Sequence, residues 1–122
     1  MRILGVIAQL RTTDLEASID FYTSKLGLTL EFRFEDFYAG IRAGDQTFHL
    51  KHVDEKDPTI DYVEHFGHFD LYLMTDDVVA TAVALKENGV ALERDVHDTD
   101  WGTTELVIKD DQGHTLYFGQ AR

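Results

Sequence analysis

At 122 residues the chain is long enough for one compact domain, and 43% hydrophobic with 11% aromatic residues is enough to fill its core. Its 11 basic and 23 acidic residues give a formal charge of 11 − 23 = −12, a field that repels phosphate backbones and draws cations. There is no cysteine, which excludes a disulfide scaffold, a thiolate nucleophile and cysteine-bound zinc. No apolar run approaches the ~20 residues of a membrane helix. Met1 to Val6 lacks the apolar core and cleavage site of a signal peptide, so a cytoplasmic protein without nucleic-acid or membrane partners is expected.

In chain order, Ile3 to Arg11 alternates Leu4, Val6, Ala8 and Leu10 against Gly5, Ile7, Gln9 and Arg11, which predicts a half-buried strand. Asp14 then caps a helix with Leu15, Ile19, Tyr22 and Leu26 on one stripe and Gly27 as its stop. Strands are predicted over Leu28–Glu35, Asp36–Arg42 and Thr47–His52, followed by a polar connector, Val53–Glu64, that holds the only proline, Pro58. The order then starts again. Phe66–Met74 predicts a strand, Asp76 a cap, and Val78, Ala82 and Leu85 a helical stripe ending at Gly89. Strands over Val90–Val96, Thr103–Lys109 and Thr115–Gly119 complete the set.

Thr13-Asp14 recurs as Thr75-Asp76, Gly27 as Gly89 and Leu30 as Leu92, each 62 residues on. Matches at one offset within one strand–helix–three-strand order predict an internal duplication. The expectation is a single α+β domain, residues 1–122, built of two βαβββ repeats of about 1–60 and 61–122.

The last two strands read as a hairpin around Asp110-Asp111-Gln112-Gly113. Leu106, Ile108, Leu116 and Phe118 share an oily face, while Thr103, Glu105, Thr115 and Tyr117 share a polar-aromatic one suited to a pocket wall. On that inner side Tyr117 offers a ring and a hydroxyl. Glu105 and Asp70 offer carboxylates to a basic ligand, or to Arg11 or Arg33 within the chain. Trp101, beside Gly102, is placed to stack a planar or cationic group. One of Phe37 and Tyr38 must face inward, and the register does not say which. Four histidines, His49, His52, His65 and His68, lie within 20 residues, but alternation scatters them: His49 faces in, His52 out, and His65 is in the connector. No phosphate cradle, nucleophile elbow or Ser–His–Asp arrangement is present.

The segment Thr13 to Tyr22 followed by Leu26-Gly27 resembles the first helix motif of the vicinal oxygen chelate superfamily, which includes glyoxalase I, extradiol dioxygenases and bleomycin-resistance proteins. Trp101-Gly102, Glu105, Asp110, Gly113 and Phe118-Gly119-Gln120 resemble the C-terminal signature of the bleomycin-resistance branch, with Asp111 and His114 where that branch usually has proline and asparagine. The resemblance implies half-open curved sheets with helices outside. It also implies a homodimer in which cups are exchanged between chains.

Enzymes of this superfamily hold one divalent metal, and the resemblance puts their four ligand positions at Ile7, His49, Asp70 and Tyr117. Isoleucine has no donor atom and a phenol titrating near ~10 coordinates poorly, which leaves His49 and Asp70, with His68 as a stand-in on Asp70's face. The expected protein is therefore a metal-free, cofactor-free binder of the bleomycin-resistance type. It would sequester an amphipathic or cationic small molecule against Trp101, Tyr117, His49, Asp70, Glu105, Phe37, Tyr38 and His68. The alternative is a divalent-metal lyase or dioxygenase of the glyoxalase or extradiol type. A third possibility is a repurposed domain acting only through protein contacts.

Overall fold

The computed structural model describes residues 1–122 and contains eight strands and three helices. Strands β1 (Gln9–Thr12), β2 (Thr29–Phe34), β3 (Tyr38–Ala43) and β4 (Gln46–His52) form one sheet in the order β1-β4-β3-β2. Strands β5 (Leu71–Met74), β6 (Arg94–Asp98), β7 (Thr103–Lys109) and β8 (Thr115–Ala121) form a second in the matching order β5-β8-β7-β6. In each sheet the first strand joins the last in parallel and the other pairings are antiparallel. Helix α1 (Leu15–Asp20) belongs to the first set and α3 (Val78–Glu87) to the second. The α+β architecture of two open, four-stranded βαβββ sheets is the one the sequence predicts.

Both helices start on an aspartate whose carboxylate accepts from a backbone N–H three residues on, Asp14 from Ala17 and Asp77 from Ala80, each at 3.0 Å. The second cap is thus Asp77 and not Asp76. The caps lie 77 − 14 = 63 residues apart, whereas the glycines that end the two helical segments lie 89 − 27 = 62 apart. The extra residue of the first unit is absorbed by a π-helical turn, Phe21–Lys25, that continues α1.

The oily faces of both sheets close on one core. Leu10, Ala39, Ile41, Phe48 and Leu50 behind the first sheet and Leu106, Ile108 and Leu116 behind the second join Leu15, Ile19, Tyr22, Val78, Ala82 and Leu85 from the helices. A polar clasp locks the seam. The π-turn brings Tyr22 to Asp110 in the β7–β8 turn, hydroxyl to Oδ2 at 2.7 Å, and Ser18 donates to Asp111 at 2.7 Å. Asp110 also accepts from the backbone of Gln112 and His114, both at 2.9 Å, and from His114 Nδ1 at 2.8 Å.

Five further expectations change. Residues 1–7 pair with no strand: Leu4 and Val6 are 87% and 92% exposed, because the pairing with β4 ends at Ala8 and nothing in the chain covers them. The connector contains a short helix, α2 (Thr59–His65), started by Asp57 accepting from Thr59 N–H at 2.9 Å with Pro58 at its head. The strand predicted over Phe66–Met74 begins only at Leu71, and the one over Val90–Val96 is displaced to Arg94–Asp98. Finally, a bulge between Leu30 and Phe32 breaks the alternation of β2.

Candidate functional site

The two faces opposite the core carry the chemistry, and strand register assembles each in rows. Across the first sheet, Gln9, His49, Gly40 and Phe32 form one row and Arg11, Lys51, Tyr38 and Phe34 the next. Phe32 reaches this face because of the bulge, since unbroken alternation keeps it with Leu30. Its ring lies over Gly40 in the space a Cβ would fill, so any other residue there must displace the ring. Phe32 stacks on Tyr38 with ring centres 6.4 Å apart and meets His49 edge-on at 5.3 Å.

A relay fixes the imidazole. Gln9 Nε2 donates to the Tyr38 hydroxyl at 3.0 Å, and that hydroxyl lies 3.0 Å from His49 Nδ1. A hydroxyl that accepts from Gln9 is free to donate to Nδ1, the arrangement that puts the ring proton on Nε2, and Nε2 has no hydrogen-bond partner in the chain.

The second face has its own rows: Tyr72 beside Tyr117 and Val107, then Met74, Gly119, Glu105 and His97. Glu105 is only 3% exposed and makes no ion pair. Its Oε2 accepts from the Tyr72 hydroxyl at 2.7 Å and from Thr103 at 2.9 Å, and its Oε1 carries no hydrogen bond. Burial first, then the Glu105 bond, raises the Tyr72 phenol above its ordinary range. Tyr72 occupies the missing Cβ space of Gly119, as Phe32 does at Gly40. Phe69 closes the shelf, 5.2 Å from the Tyr117 ring and 5.6 Å from that of Tyr72.

Of the residues singled out from sequence, His49 and Tyr38 meet on the first face, and Glu105 and Tyr117 lie on the second. Tyr38 settles the choice left open with Phe37, which sits in the preceding turn under the Lys51 ammonium, 5.9 Å from its ring centre. Asp70 does not line a face in the way expected. Its Oδ2 accepts from Thr115 N–H at 2.8 Å, beside the Asp110–His114 pair. Burial raises its pKa first, against the opposing pull of the Thr115 bond and His114. His68 leaves the strand altogether and stacks on Phe66 at 6.3 Å in an exposed ring cluster with Tyr62. Trp101 stands at the β6–β7 turn, 74% exposed and stacked on no other ring. Phe69, which alternation along the predicted Phe66–Met74 strand puts on the oily side with Leu71 and Leu73, belongs to the second face because β5 has not yet begun there. Gln9 and Tyr72 were legible from alternation but carried no motif.

The donor set does not fit a divalent metal. Ile7 has no donor atom and lies off the strand, 57% exposed. The strand neighbour of His49 is Gln9, and that of Tyr117 is Tyr72. His49 Nδ1 and Asp70 Oδ2 are both engaged, and no group of three histidine or carboxylate side chains is arranged to hold a metal ion. Of two surface hollows, one of about 200 Å³ lies away from both faces around Phe21, Lys25 and Val90, and one of about 370 Å³ borders the first face at Arg11 and runs along Val53, Asp57 and Pro58.

The family model described as Glyoxalase/Bleomycin resistance protein/Dioxygenase superfamily matches residues 3–118. The chain belongs to that superfamily. Among solved structures, the bleomycin-binding protein of bleomycin-producing Streptomyces verticillus, complexed with copper(II)-bleomycin, superposes with a TM-score of 0.77 at 18% identity over 100% of this chain and 99% of that one. Lactoylglutathione lyase from Agrobacterium tumefaciens gives 0.75 at 17% identity over 98% and 95%. A glyoxalase-related enzyme from Clostridium phytofermentans gives 0.80 at 17% identity over 100% and 98%. At such identities the likeness is one of fold. A search of curated proteins finds no match.

Proposed function

We propose that this superfamily member captures an amphipathic small molecule carrying a basic group, without a metal, between aromatic faces brought together in a homodimer. The observation that carries this reading is Glu105, a carboxylate sunk among Tyr72, Tyr117 and Thr103 with no cation in the chain to balance it and one oxygen free. A desolvated carboxylate gains most from a charged donor. The surrounding rings add apolar burial and cation–π attraction. The copper(II)-bleomycin complex of the Streptomyces verticillus protein supports drug-like capture on this fold.

The dimer is supported by what a single chain leaves uncovered. Ile3, Leu4, Val6 and Ile7 continue β1 as an apolar segment, and Phe34, Phe69 and Met74 open to solvent on or beside the inner faces. A second copy would cover them and turn two open faces into closed sites. The dimer is expected to elute at twice the chain mass in size-exclusion chromatography with light scattering.

Calorimetric titration of the full-length protein with metal-free bleomycin and with 2-naphthylmethylamine tests the reading. Saturable binding of at least one of the two is expected, one ligand per chain, weakened about tenfold in Glu105→Gln. Binding indifferent to that substitution, or no binding of either compound, overturns it.

A further inference from the structure

On a chain with a formal charge of −12, the inner face of the first sheet carries donors and positive charge around His49 and Lys51, while the Glu31 carboxylate farther along it is taken up by Thr47 and Arg42. Arg11 and Lys51 are direct neighbours across β1 and β4, on the side opposite buried Leu10 and Leu50. Like charges set side by side on a sheet repel unless an anion lies against them. Arg11 finds only a loose partner, Asp57 at 3.8 Å. Lys51 has no carboxylate within 4.0 Å and rests over the Phe37 ring. Two residues earlier on the same strand and face, the Gln9–Tyr38 relay holds His49 with an unpartnered Nε2–H directed away from Nδ1. Two such residues stand about 7 Å apart along the strand, within reach of one oxyanion given the length of the lysine side chain. Around them lie Phe32, Phe34 and Tyr38, a shelf for a flat ring.

We infer that the first inner face is a half-site for the carboxylate end of an aromatic acid, with Lys51 Nζ and His49 Nε2 as the donors and Phe32 with Tyr38 as the ring shelf. The inference rests on the capture function proposed above and narrows its ligand. With Glu105 on the second face taking the basic end, the molecule is amphoteric and not simply cationic. Gln9 is a positioning residue in this account, because it acts only by fixing which imidazole nitrogen carries the proton.

The test titrates the full-length protein with 2-naphthoate, 2-naphthamide and 2-naphthylmethylamine, following the aromatic resonances of Phe32 and Tyr38 by NMR. Naphthoate is expected to shift both rings and to bind at least tenfold more tightly than the amide to this face. Lys51→Gln should lower naphthoate affinity about tenfold while leaving the amide unchanged. Lys51→Glu, at a half-buried strand position whose ammonium makes no hydrogen bond or ion pair within the chain, should reverse the order of acid and amine at these rings. Acid and amide binding alike at Phe32 and Tyr38 overturns the half-site while leaving capture by the second face intact. Naphthoate binding that ignores Lys51→Gln overturns it too. If none of the three probes binds anywhere, the capture function itself fails, and this inference with it.

Discussion

The two inner faces share one fold and differ in sign. On the first, the hydrogen-bond chain runs from Gln9 through Tyr38 to His49 and ends in a free N–H beside an unpaired ammonium. On the second, Tyr72 and Thr103 both donate inward to Glu105, and the chain ends in a free carboxylate oxygen. Gln9 and Tyr72 hold matching places, each beside the last strand of its sheet and 63 residues apart, the same offset as the helix caps. Equivalent positions have thus been given opposite polarity, which is what a site for a molecule with two unlike ends requires. The glycine device is common to both: Gly40 seats Phe32 and Gly119 seats Tyr72.

The comparison presumes that both faces stand on one core, and removing core volume tests this hardest. Leu106→Ala, at a fully buried position, is expected to lower stability by about 2–5 kcal/mol, with a single cooperative transition in chemical denaturation followed by both fluorescence and circular dichroism. Two separated transitions would mean that the sheets fold independently.

Next in size are the ring seats. Gly40→Ala and Gly119→Ala each place a methyl where an aromatic ring lies and should lower stability by about 1–3 kcal/mol. Gly119→Ala should loosen 2-naphthylmethylamine and Gly40→Ala 2-naphthoate; equal effects on both ligands would erase the distinction between the faces.

Tyr22→Phe removes the hydroxyl that ties the first unit to Asp110 in the second, at an expected loss of about 1.5–3 kcal/mol by thermal denaturation. Binding by each face should survive, since neither contains Tyr22.

The smallest effect is one of pH. Burial works against protonation of His114, but its bond to Asp110 and the nearby charges of Asp110, Asp70 and Asp57 hold its pKa above the ordinary value. A raised folded-state pKa gives stability that is full below the unfolded value of about 6.5 and is lost as pH rises through the folded one. The melting temperature should therefore fall modestly from pH 6 to pH 9, and His114→Asn should flatten that slope. An unchanged slope would remove His114 from the seam's energetics.

Much of this was legible in the sequence because it rests on local chemistry. Asp14 before Leu15, Ile19 and Tyr22 specifies a capped helix wherever it stands, and the Asp110–Gly113 turn between alternating runs specifies a hairpin with Glu105 and Tyr117 on one side. What escaped depends on one-residue insertions and on partners distant in sequence. The bulge after Leu30 and the π-turn at Phe21 each add a residue without changing composition, yet the first turns Phe32 to the inner face and the second shifts the repeat offset from 63 at the caps to 62 at the glycines. Alternation could not show that the Asp70 carboxylate turns to Thr115 N–H, because a strand-end side chain is free to bond the neighbouring backbone. Residues 3–7 have a strand's pattern and no strand beside them.

The central claim is that a ligand lies against the inner faces and not in the surface hollows. Aromatic NMR of the full-length protein titrated with 2-naphthylmethylamine reads this directly. The account predicts saturable shifts at Tyr72, Tyr117 and Phe69 that weaken about tenfold in Glu105→Gln. Silence at those three rings, with shifts confined to Phe21 and Val90 around the outer hollow, would contradict it.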